Sequence, residues 1–278
     1  MMEKILVTTD FSANSKAGLR FALQLASQYK FELTFFHSYY VLIPTGWSNS
    51  KISKYKKIEE KKIQNRLNRF VATVYKNTRI RAPKFECVIK SSAFTEINIL
   101  KYAAENKFSF ICTGTRGVGK FKKLFGTTTA KLIKQSHVPV IAVPNNYRLN
   151  NISSILYASD LINIGKELEK VIDFARPLNA QVVVLHFNSP NTPIDSKIFE
   201  AAVKASSRYD NIKIYIENEN QSQSRISIIK SILKKTKSSI MIMFTEQRRN
   251  LFQKVFSPSK SVKHSFKTEV PLLVYNKR

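Results

Sequence analysis

The sequence predicts an α/β protein made of two tandem doubly wound domains, and two observations support that prediction. First, short runs of β-branched and aromatic residues alternate with amphipathic stretches along the chain, which is typical of parallel sheets joined by helices. Second, the chain repeats itself. A strand-like run that ends in Asp10 recurs before Asp160, and an apolar run that ends in a histidine follows each aspartate, at His37 and at His186. A repeat of this length indicates two similar domains.

In the first half, the apolar periodicity predicts five strands and four helices. The strands are expected near 4–9, 31–37, 84–89, 108–113 and 139–143, and the helices near 14–29, 53–77, 94–106 and 127–136. In the first helix Ala17, Phe21 and Leu25 recur every four residues and form an apolar stripe that would cover a sheet. A side-chain oxygen of Ser12 or Asn14 can cap the start of this helix.

The second half repeats this order. Its strands are expected near 153–158, 181–186, 211–216, 239–244 and 271–275, and its helices near 164–178, 195–208, 223–236 and 258–266. Pro177 should end the first of these helices, because proline cannot donate the next backbone hydrogen bond. The polar stretch 144–151 predicts a boundary between domains 1–147 and 148–278. Residues 40–52 are predicted to form a loop.

The net charge of +27 is unusual for a chain of 278 residues. Residues 1–147 contain 25 Lys and Arg against 8 Asp and Glu, so the first half carries most of the charge. A basic surface attracts nucleotides, nucleic acids or anionic lipid headgroups. The sequence has no recognisable nucleic-acid-reading motif, so a solvated lysine-rich helix is the simpler explanation.

Other classes of function receive no support. No apolar run approaches the roughly 18 residues of a membrane span, and the first strand begins at once, without a signal peptide, so we expect a cytoplasmic protein. Cys87 and Cys112 lie in apolar strand-like stretches and are expected to be buried thiols. Neither cysteine has the spacing of a zinc site, and no metal is expected.

A glycine-rich segment follows the fourth predicted strand. It contains Gly114, Gly117 and Gly119, and Gly126 then precedes three threonines that open the next helix. Glycines allow a tight turn, and successive N–H groups beside a helix N-terminus can hold a phosphate. A structural turn capped by threonine is the alternative. The segment is neither a P-loop, because Gly119-Lys120 lacks the following Ser or Thr, nor a dinucleotide fingerprint.

With these motifs the chain resembles tandem universal stress proteins over both halves. The family signature G-x2-G-x9-G-[S/T] matches at Gly114, Gly117 and Gly126-Thr127, with one residue fewer in the longer gap. The Thr-Asp-Phe-Ser opening and the Val-Pro-Val strand are also typical. The resemblance implies a five-stranded parallel sheet of order 3-2-1-4-5 with helices on both faces in each domain.

The resemblance also implies an ATP site, possibly with magnesium, in the first half. Asp10 would contact the adenosine part and Ser38 would lie beside the base. The phosphates would be bound at Gly114, Gly117, Gly126, Thr127 and Thr128. In the second half the corresponding stretch begins at Thr245 and lacks every motif glycine, so that half is expected not to bind nucleotide in this way.

We expect binding without efficient hydrolysis, because no second carboxylate is placed near the phosphates. The predicted function is a nucleotide-binding regulator of a stress response that is not an enzyme. A nucleotide-independent scaffold and a basic nucleic-acid-associated protein are the alternatives. By analogy with single-domain relatives, strands 138–143 and 270–275 are expected to pair in an internal pseudo-dimer, and a homodimer is a further option.

Overall fold

The computed structural model describes residues 3–80, 85–115, 127–161, 163–188, 196–207, 209–218, 224–245 and 269–276. The chain divides into two compact units, and the described residues up to Leu149 belong to the first and those from Asn150 to the second. Both units have the predicted α/β fold. Within the described ranges, no helix combines the length and apolar composition that a membrane span requires.

The first unit contains five strands and four helices. The strands are β1 (Glu3–Thr8), β2 (Phe31–Tyr39), β3 (Phe85–Ser91), β4 (Phe110–Gly114) and β5 (Val140–Val143). The helices are α1 (Ala13–Gln28), α2 (Asn49–Thr78), α3 (Thr95–Glu105) and α4 (Thr127–Gln135). All strand pairs are parallel, in the order β3-β2-β1-β4-β5. The order that the resemblance implies is therefore confirmed.

Helices cover both faces of this sheet. Phe35 and Phe36 are consecutive in β2, so their side chains point to opposite faces. The Phe35 ring contacts Tyr75 of α2 (6.0 Å between centroids), whereas the Phe36 ring contacts Tyr102 of α3 (4.9 Å). Because both faces are covered, the central strands are buried on both sides, which is the usual state of parallel sheets.

The start of α1 and its apolar stripe agree with the sequence prediction. Ala17, Phe21 and Leu25 are fully buried. Of the two candidate caps, Ser12 is the one used, and its side chain accepts a hydrogen bond from the N–H of Ser15. This cap fixes the first turn of α1 directly after β1, which brings the helix start to the carboxyl end of the sheet.

The predicted loop 40–52 is wrong in its last four residues, because α2 begins at Asn49. The physical reason is a serine cap, since Ser48 Oγ accepts from the N–H of Lys51 at 3.4 Å. The ring of Trp47 also packs edge-on against Tyr55, with 5.2 Å between centroids. Both contacts favour helix four residues earlier than apolar periodicity alone indicates.

The second unit has the same strand order, β8-β7-β6-β9-β10, again parallel. Its strands are β6 (Ser154–Ala158), β7 (Gln181–Asn188), β8 (Ile212–Asn218), β9 (Ile240–Thr245) and β10 (Leu272–Asn276). Its described helices are α5 (Ile164–Ala175), α6 (Ser196–Ser206) and α7 (Arg225–Lys235). Helix α5 gives way to a 3₁₀ turn, Arg176–Leu178, that contains Pro177, as predicted. The helix predicted at 258–266 lies outside the described residues.

Candidate functional site

A cleft of about 110 Å³ opens at the carboxyl ends of β1 and β4, which lie side by side. Open parallel sheets bind ligands where the strand order reverses, and in this unit the order reverses between these two strands. The cleft is lined by Thr8, Thr9, Asp10, Ser12, Asn14, Ser15, Phe36, Ser38, Thr95, Ile99, Thr113, Gly114, Thr127, Thr128 and Thr129. The structure thus brings together the predicted site residues Asp10, Ser38, Gly114, Thr127 and Thr128. The predicted Gly117 and Gly126 lie outside the described residues.

The lining is rich in hydroxyl groups. Ten of the fifteen residues are serine or threonine, and Asp10 is the one charged residue among those that the structure describes there. Hydroxyls both donate and accept hydrogen bonds. The cleft therefore suits a ligand with many oxygen atoms, such as a sugar or a phosphate.

The turn between β1 and α1 satisfies its own backbone donors. The N–H of Phe11 donates to Thr9 Oγ1 at 3.0 Å. The N–H of Ser12 donates to Asp10 Oδ1 at 3.0 Å, and that of Ser15 donates to the Ser12 cap at 3.2 Å. Because these N–H groups are engaged, this part of the cleft offers oxygen acceptors rather than a cradle for an anion.

The carboxyl group of Asp10 is ionised at neutral pH. Burial by itself would raise its pKa, but hydrogen bonds from the side chain and backbone of Ser12 and from the side chain of Ser15 outweigh that effect. The pKa of Asp10 is therefore below its usual value of 3.8. A carboxylate that stays charged in a hydroxyl-lined cleft accepts hydrogen bonds from sugar hydroxyls or a base amino group, and it repels phosphate.

The first turn of α4 brings backbone donors to the same cleft. Residues 127–129, all threonines, open this helix and line the cleft. The N–H groups of a first helical turn have no partner within the helix, and the helix dipole favours an anion there. Lys131 of α4 pairs with Glu96 of α3, which links α4 to the helix whose Thr95 also lines the cleft. This end of the cleft can bind phosphate.

Ser38 lies at the end of β2 and is held by a residue that sequence reasoning missed. Asn98 of α3 donates through Nδ2 to Ser38 Oγ at 2.8 Å and to the carbonyl oxygen of Lys90 at 3.1 Å. The Ser38 oxygen is thus an acceptor for Asn98, and its own O–H can donate to a ligand. Ser38 is therefore a polar contact at this position.

His37 is a packed, hydrogen-bonded histidine at the end of β2. Its Nδ1 lies 2.8 Å from the carbonyl oxygen of Thr9, so Nδ1 carries the hydrogen and donates it. Desolvation lowers the pKa of His37 below 6.5 despite that hydrogen bond. The ring is neutral at physiological pH, as expected for a packed, hydrogen-bonded histidine.

Gly114 allows α1 to approach the end of β4. A Cβ atom at this position would lie 2.2 Å from the carbonyl oxygen of Asn14, and a Cβ at Gly18 would lie 2.9 Å from the backbone nitrogen of Gly114. Neither distance is possible for real atoms. The two glycines together bring the helix start against the strand end, and this contact forms one wall of the cleft.

Four of the lining residues that sequence analysis did not single out have a common location. Thr8, Thr9, Thr113 and Thr95 all lie at carboxyl ends of strands or at the helix starts that follow them. Because parallel strands all end at one edge of the sheet, each such position faces the same region. A search of every strand end for hydroxyl residues would have found them.

Strand pairing identifies the counterpart of Gly114 in the second unit. The partner of Val7 on β4 lies two residues before Gly114. The partner of Tyr157, which replaces Val7 in the repeat, lies two residues before Phe244 on β9. The counterpart is therefore Phe244, and the assignment of Thr245 from sequence spacing is wrong by one residue.

Phe244 fills the corresponding space with an aromatic ring. The ring is nearly buried and contacts Tyr157 at 5.7 Å and Tyr275 at 4.9 Å between centroids. A row of three aromatic side chains thus crosses β6, β9 and β10. The stretch 246–268, which holds the rest of the predicted degenerate motif, lies outside the described residues.

Comparison with known proteins agrees with this architecture. The model of the universal stress protein family matches residues 1–144. One similar structure is a universal stress protein from Archaeoglobus fulgidus, which is 17% identical in sequence. The match has a TM-score of 0.70 and covers 99% of this chain and 98% of the Archaeoglobus chain. A candidate universal stress protein from Pseudomonas aeruginosa is 13% identical over 99% of this chain and 93% of its own, with a TM-score of 0.56.

At these identities the likeness shows the shared two-domain fold. A shorter structure, of a universal stress protein in complex with cAMP, is 19% identical and covers 51% of this chain and 96% of its own, with a TM-score of 0.38. No curated protein matches the chain significantly.

Proposed function

Because the chain belongs to the universal stress protein family, we propose that its first half binds an adenine nucleotide and regulates a stress response through the occupancy of that site. The observation behind the proposal is the cleft at the ends of β1 and β4. It combines ten hydroxyl side chains, one ionised carboxylate and the N-terminal turn of α4. An adenine nucleotide needs this combination, namely acceptors for the nucleoside and donors for the phosphates.

The two ends of the cleft favour one orientation of the nucleotide. Asp10 and Ser38 would contact the nucleoside, since a carboxylate accepts from ribose hydroxyls and would repel phosphate. Residues 127–129 would hold the phosphates through backbone N–H groups and hydroxyls. Magnesium would be bound chiefly by the phosphates, because Asp10 is the single carboxylate among the described lining residues.

We propose binding without efficient hydrolysis. Activation of water needs a base close to the terminal phosphate. Asp10 is assigned to the nucleoside end, and His37 donates its Nδ1 hydrogen to Thr9 and does not line the cleft. A phosphate-release assay at saturating ATP should give a rate close to that of buffer, and rapid turnover that is lost in Asp10→Asn would contradict this proposal.

The binding proposal is tested by calorimetric titration of the full chain with ATP and magnesium at moderate salt. The repeat supplies a matched pair of variants, Asp10→Asn and Asp160→Asn. We expect Asp10→Asn to weaken binding about tenfold, the effect of one charge-assisted hydrogen bond, whereas Asp160→Asn should leave affinity unchanged. Absence of ATP binding by the unmodified protein, or equal loss in both variants, would overturn the proposal, and a nucleotide-independent scaffold would replace it.

Two proposals on assembly rest on the family resemblance alone. Segments 138–143 and 270–275 would pair in an internal pseudo-dimer, and two chains could form a homodimer in the cytoplasm. Short-reach cross-linking followed by mass spectrometry should join peptides from the two segments. Sedimentation over a range of concentrations should report the oligomeric state.

A further inference from the structure

The first part of α2 is a long helical segment with no buried residue. Helix α2 has 30 residues, and its buried residues, Leu67, Val71 and Val74, all lie in the second part. The preceding 49–66 therefore extends for about 27 Å without a buried side chain. Most helices in proteins gain their stability by packing an apolar face, but in this segment Ile52, Tyr55 and Ile63 are only half-buried and Ile58 is exposed.

Local contacts hold the start of this segment together with the loop before it. The ring of Trp47 packs against Tyr55, and Lys51 Nζ lies 4.4 Å from the centroid of the Trp47 ring. Further along, Lys62 pairs with Glu59 at 2.7 Å. Trp47 thus joins the end of the loop 40–48 to the segment 49–66, and we call these two consecutive stretches together the loop–helix patch.

The loop–helix patch exposes large apolar side chains. Leu42 is 79% exposed, Tyr40 62%, Ile58 45% and Ile43 36%. Single exposed apolar residues are common on protein surfaces, but four of them in one stretch of chain that also contains a tryptophan favour an interaction surface. The hydrophobic effect alone would favour covering them.

The same patch is strongly basic. Segment 49–66 contains seven Lys and Arg and two Glu, and all seven basic side chains are exposed. Spacings of three and four residues place Lys51, Lys54, Ile58 and Lys62 on one side of the helix. Apolar side chains and ammonium groups are thus presented together.

We propose that the loop–helix patch docks the protein on the surface of an anionic phospholipid bilayer. Tyr40, Leu42, Ile43 and Trp47 would enter the interface between headgroups and acyl chains. The flexible lysines would pair with lipid phosphates at the level of the headgroups. A basic helix beside exposed aromatic and aliphatic residues has the composition of an interfacial anchor.

A nucleic acid fits the patch less well. Single-stranded nucleic acids bind through aromatic platforms and arginines, and duplexes bind through phosphate contacts without an apolar component. In this patch six of the seven basic residues are lysines, and the most exposed apolar residue, Leu42, is aliphatic. Exposed aliphatic side chains would gain apolar contacts at a lipid surface, whereas a phosphate backbone offers them none. The proposal is independent of nucleotide binding.

The chain carries its own reporter for this test, because Trp47 is its sole tryptophan and belongs to the patch. The full chain would be titrated with vesicles of phosphatidylcholine containing about one third phosphatidylglycerol, and with pure phosphatidylcholine vesicles. We expect a saturable blue shift of Trp47 emission and co-sedimentation with the anionic vesicles alone. High salt should weaken the binding, because it screens surface charge.

Matched variants separate the patch from the overall charge. Lys54→Gln/Lys57→Gln/Lys61→Gln removes three charges from the patch, and Lys166→Gln/Lys204→Gln/Lys213→Gln removes three exposed charges from the second unit. Both changes lower the net charge equally. We expect the first triple to weaken vesicle binding about 100-fold and the second to leave it within about threefold.

A second pair of variants tests the apolar contribution. Leu42→Ser should weaken binding about tenfold, whereas Ile97→Ser, at an exposed position on α3, should have no effect. Equal effects of the two lysine triples would overturn the proposal, as would absence of anionic vesicle binding. A Trp47 shift with duplex DNA but not with vesicles would overturn it in favour of nucleic acid, and a shift with protein concentration alone would assign the patch to self-association.

Discussion

The two units build the same strand–turn–helix and differ in the space beside it. Phe11 and Leu161 both have left-handed backbone, with φ of 63° and 64°. In each turn the N–H of that residue donates at 3.0 Å to a hydroxyl two positions earlier, Thr9 Oγ1 or Ser159 Oγ. The turn is thus a feature of the fold that both units keep.

The repeated histidines are a second structural feature that the two units share. The Nδ1 atoms of His37 and His186 lie 2.8 Å and 3.1 Å from the carbonyl oxygens of Thr9 and Ser159. Each histidine therefore secures the end of its first strand. The repeated histidines are thus a feature of the fold that both units share, whereas Asp10 also lines the cleft of the first unit.

The two units differ where the first helix of each unit meets the end of its fourth strand. In the first unit Gly18 and Gly114 lie in contact, and either Cβ atom would collide with backbone. In the second unit the corresponding residues are Leu168 and Phe244, and both are buried. In the second unit two large side chains therefore occupy the positions that glycines occupy in the first unit, where the backbones of the helix and the strand are in contact.

The polar groups differ in direction as well. In the first unit the Thr9 hydroxyl lies 2.8 Å from the Ser15 hydroxyl, and both residues line the cleft. In the second unit Ser159 donates to the Tyr157 oxygen at 2.9 Å, and Tyr157 donates to the buried carboxyl group of Glu167. The first unit has these hydroxyls at the lining of the cleft, whereas the second uses them within its core.

The largest expected effect is at Phe244. Phe244→Ala should lower the free energy of unfolding of the second unit by about 4 kcal/mol, because it removes a buried ring and leaves a cavity. Chemical denaturation followed by circular dichroism measures the loss, and Phe199→Ala at an exposed position on α6 is the control, with a cost below about 1 kcal/mol. A loss equal to that of the control would mean that the aromatic row does not stabilise this unit.

Gly114→Ala should cost about 3 kcal/mol in the first unit, because its Cβ would displace the start of α1. The fluorescence of Trp47, the sole tryptophan, follows the unfolding of this unit. Gly165→Ala is the matched control in α5, since no atom lies within 4 Å of a Cβ built there, and it should be neutral or stabilising by up to about 1 kcal/mol. If Gly114→Ala and Gly165→Ala were equally stable, close contact between α1 and Gly114 would not explain why glycine is needed at this wall of the cleft.

A smaller effect is expected for Tyr157→Phe. Loss of this hydroxyl breaks the buried chain from Ser159 to Glu167 and should cost about 2 kcal/mol. Tyr75→Phe in the first unit is the contrasting variant, because the Tyr75 hydroxyl is buried without a hydrogen-bond partner among the described residues. It should be neutral or slightly stabilising in denaturation experiments. A cost as large as that of Tyr157→Phe would contradict this account.

The smallest effect concerns acid pH. Because the folded state lowers the pKa of Asp10 below 3.8, the ionised form stabilises the first unit above that pH, and this contribution disappears as pH falls through the folded-state pKa. Asp10 is exposed, so solvent screening keeps the contribution below about 1 kcal/mol. The stability difference between the unmodified protein and Asp10→Asn should be constant from pH 8 to about pH 5 and vanish in stronger acid. A difference that grows in acid would have the wrong sign.

The apolar periodicity and the internal repeat were sufficient to predict the α/β class and the two tandem domains, because both can be read directly along the chain. The strand order 3-2-1-4-5 came from the family resemblance and is confirmed by the pairing of both units. The start of α2 was missed because it depends on the Ser48 cap and on Trp47. The correspondence of Gly114 to Phe244 was missed because it depends on register between distant strands, which spacing along the chain does not report.

For the candidate site, the sequence named five of the residues that line the cleft but not their surroundings. Asn98 beside Ser38 and Thr95 at the start of α3 are separated from the glycine-rich segment along the chain and meet it only through the sheet. Tertiary structure brings such residues together, so no motif in one segment could have indicated them.

The central claim, one nucleotide site in the first half alone, is tested most directly by the stoichiometry of ATP binding. Calorimetric titration of the unmodified full chain with ATP and magnesium should give saturable binding at close to one site per chain. A value near two would mean that the aromatic row in the second unit does not prevent binding. Absence of binding at millimolar ATP would contradict the assignment of the cleft itself.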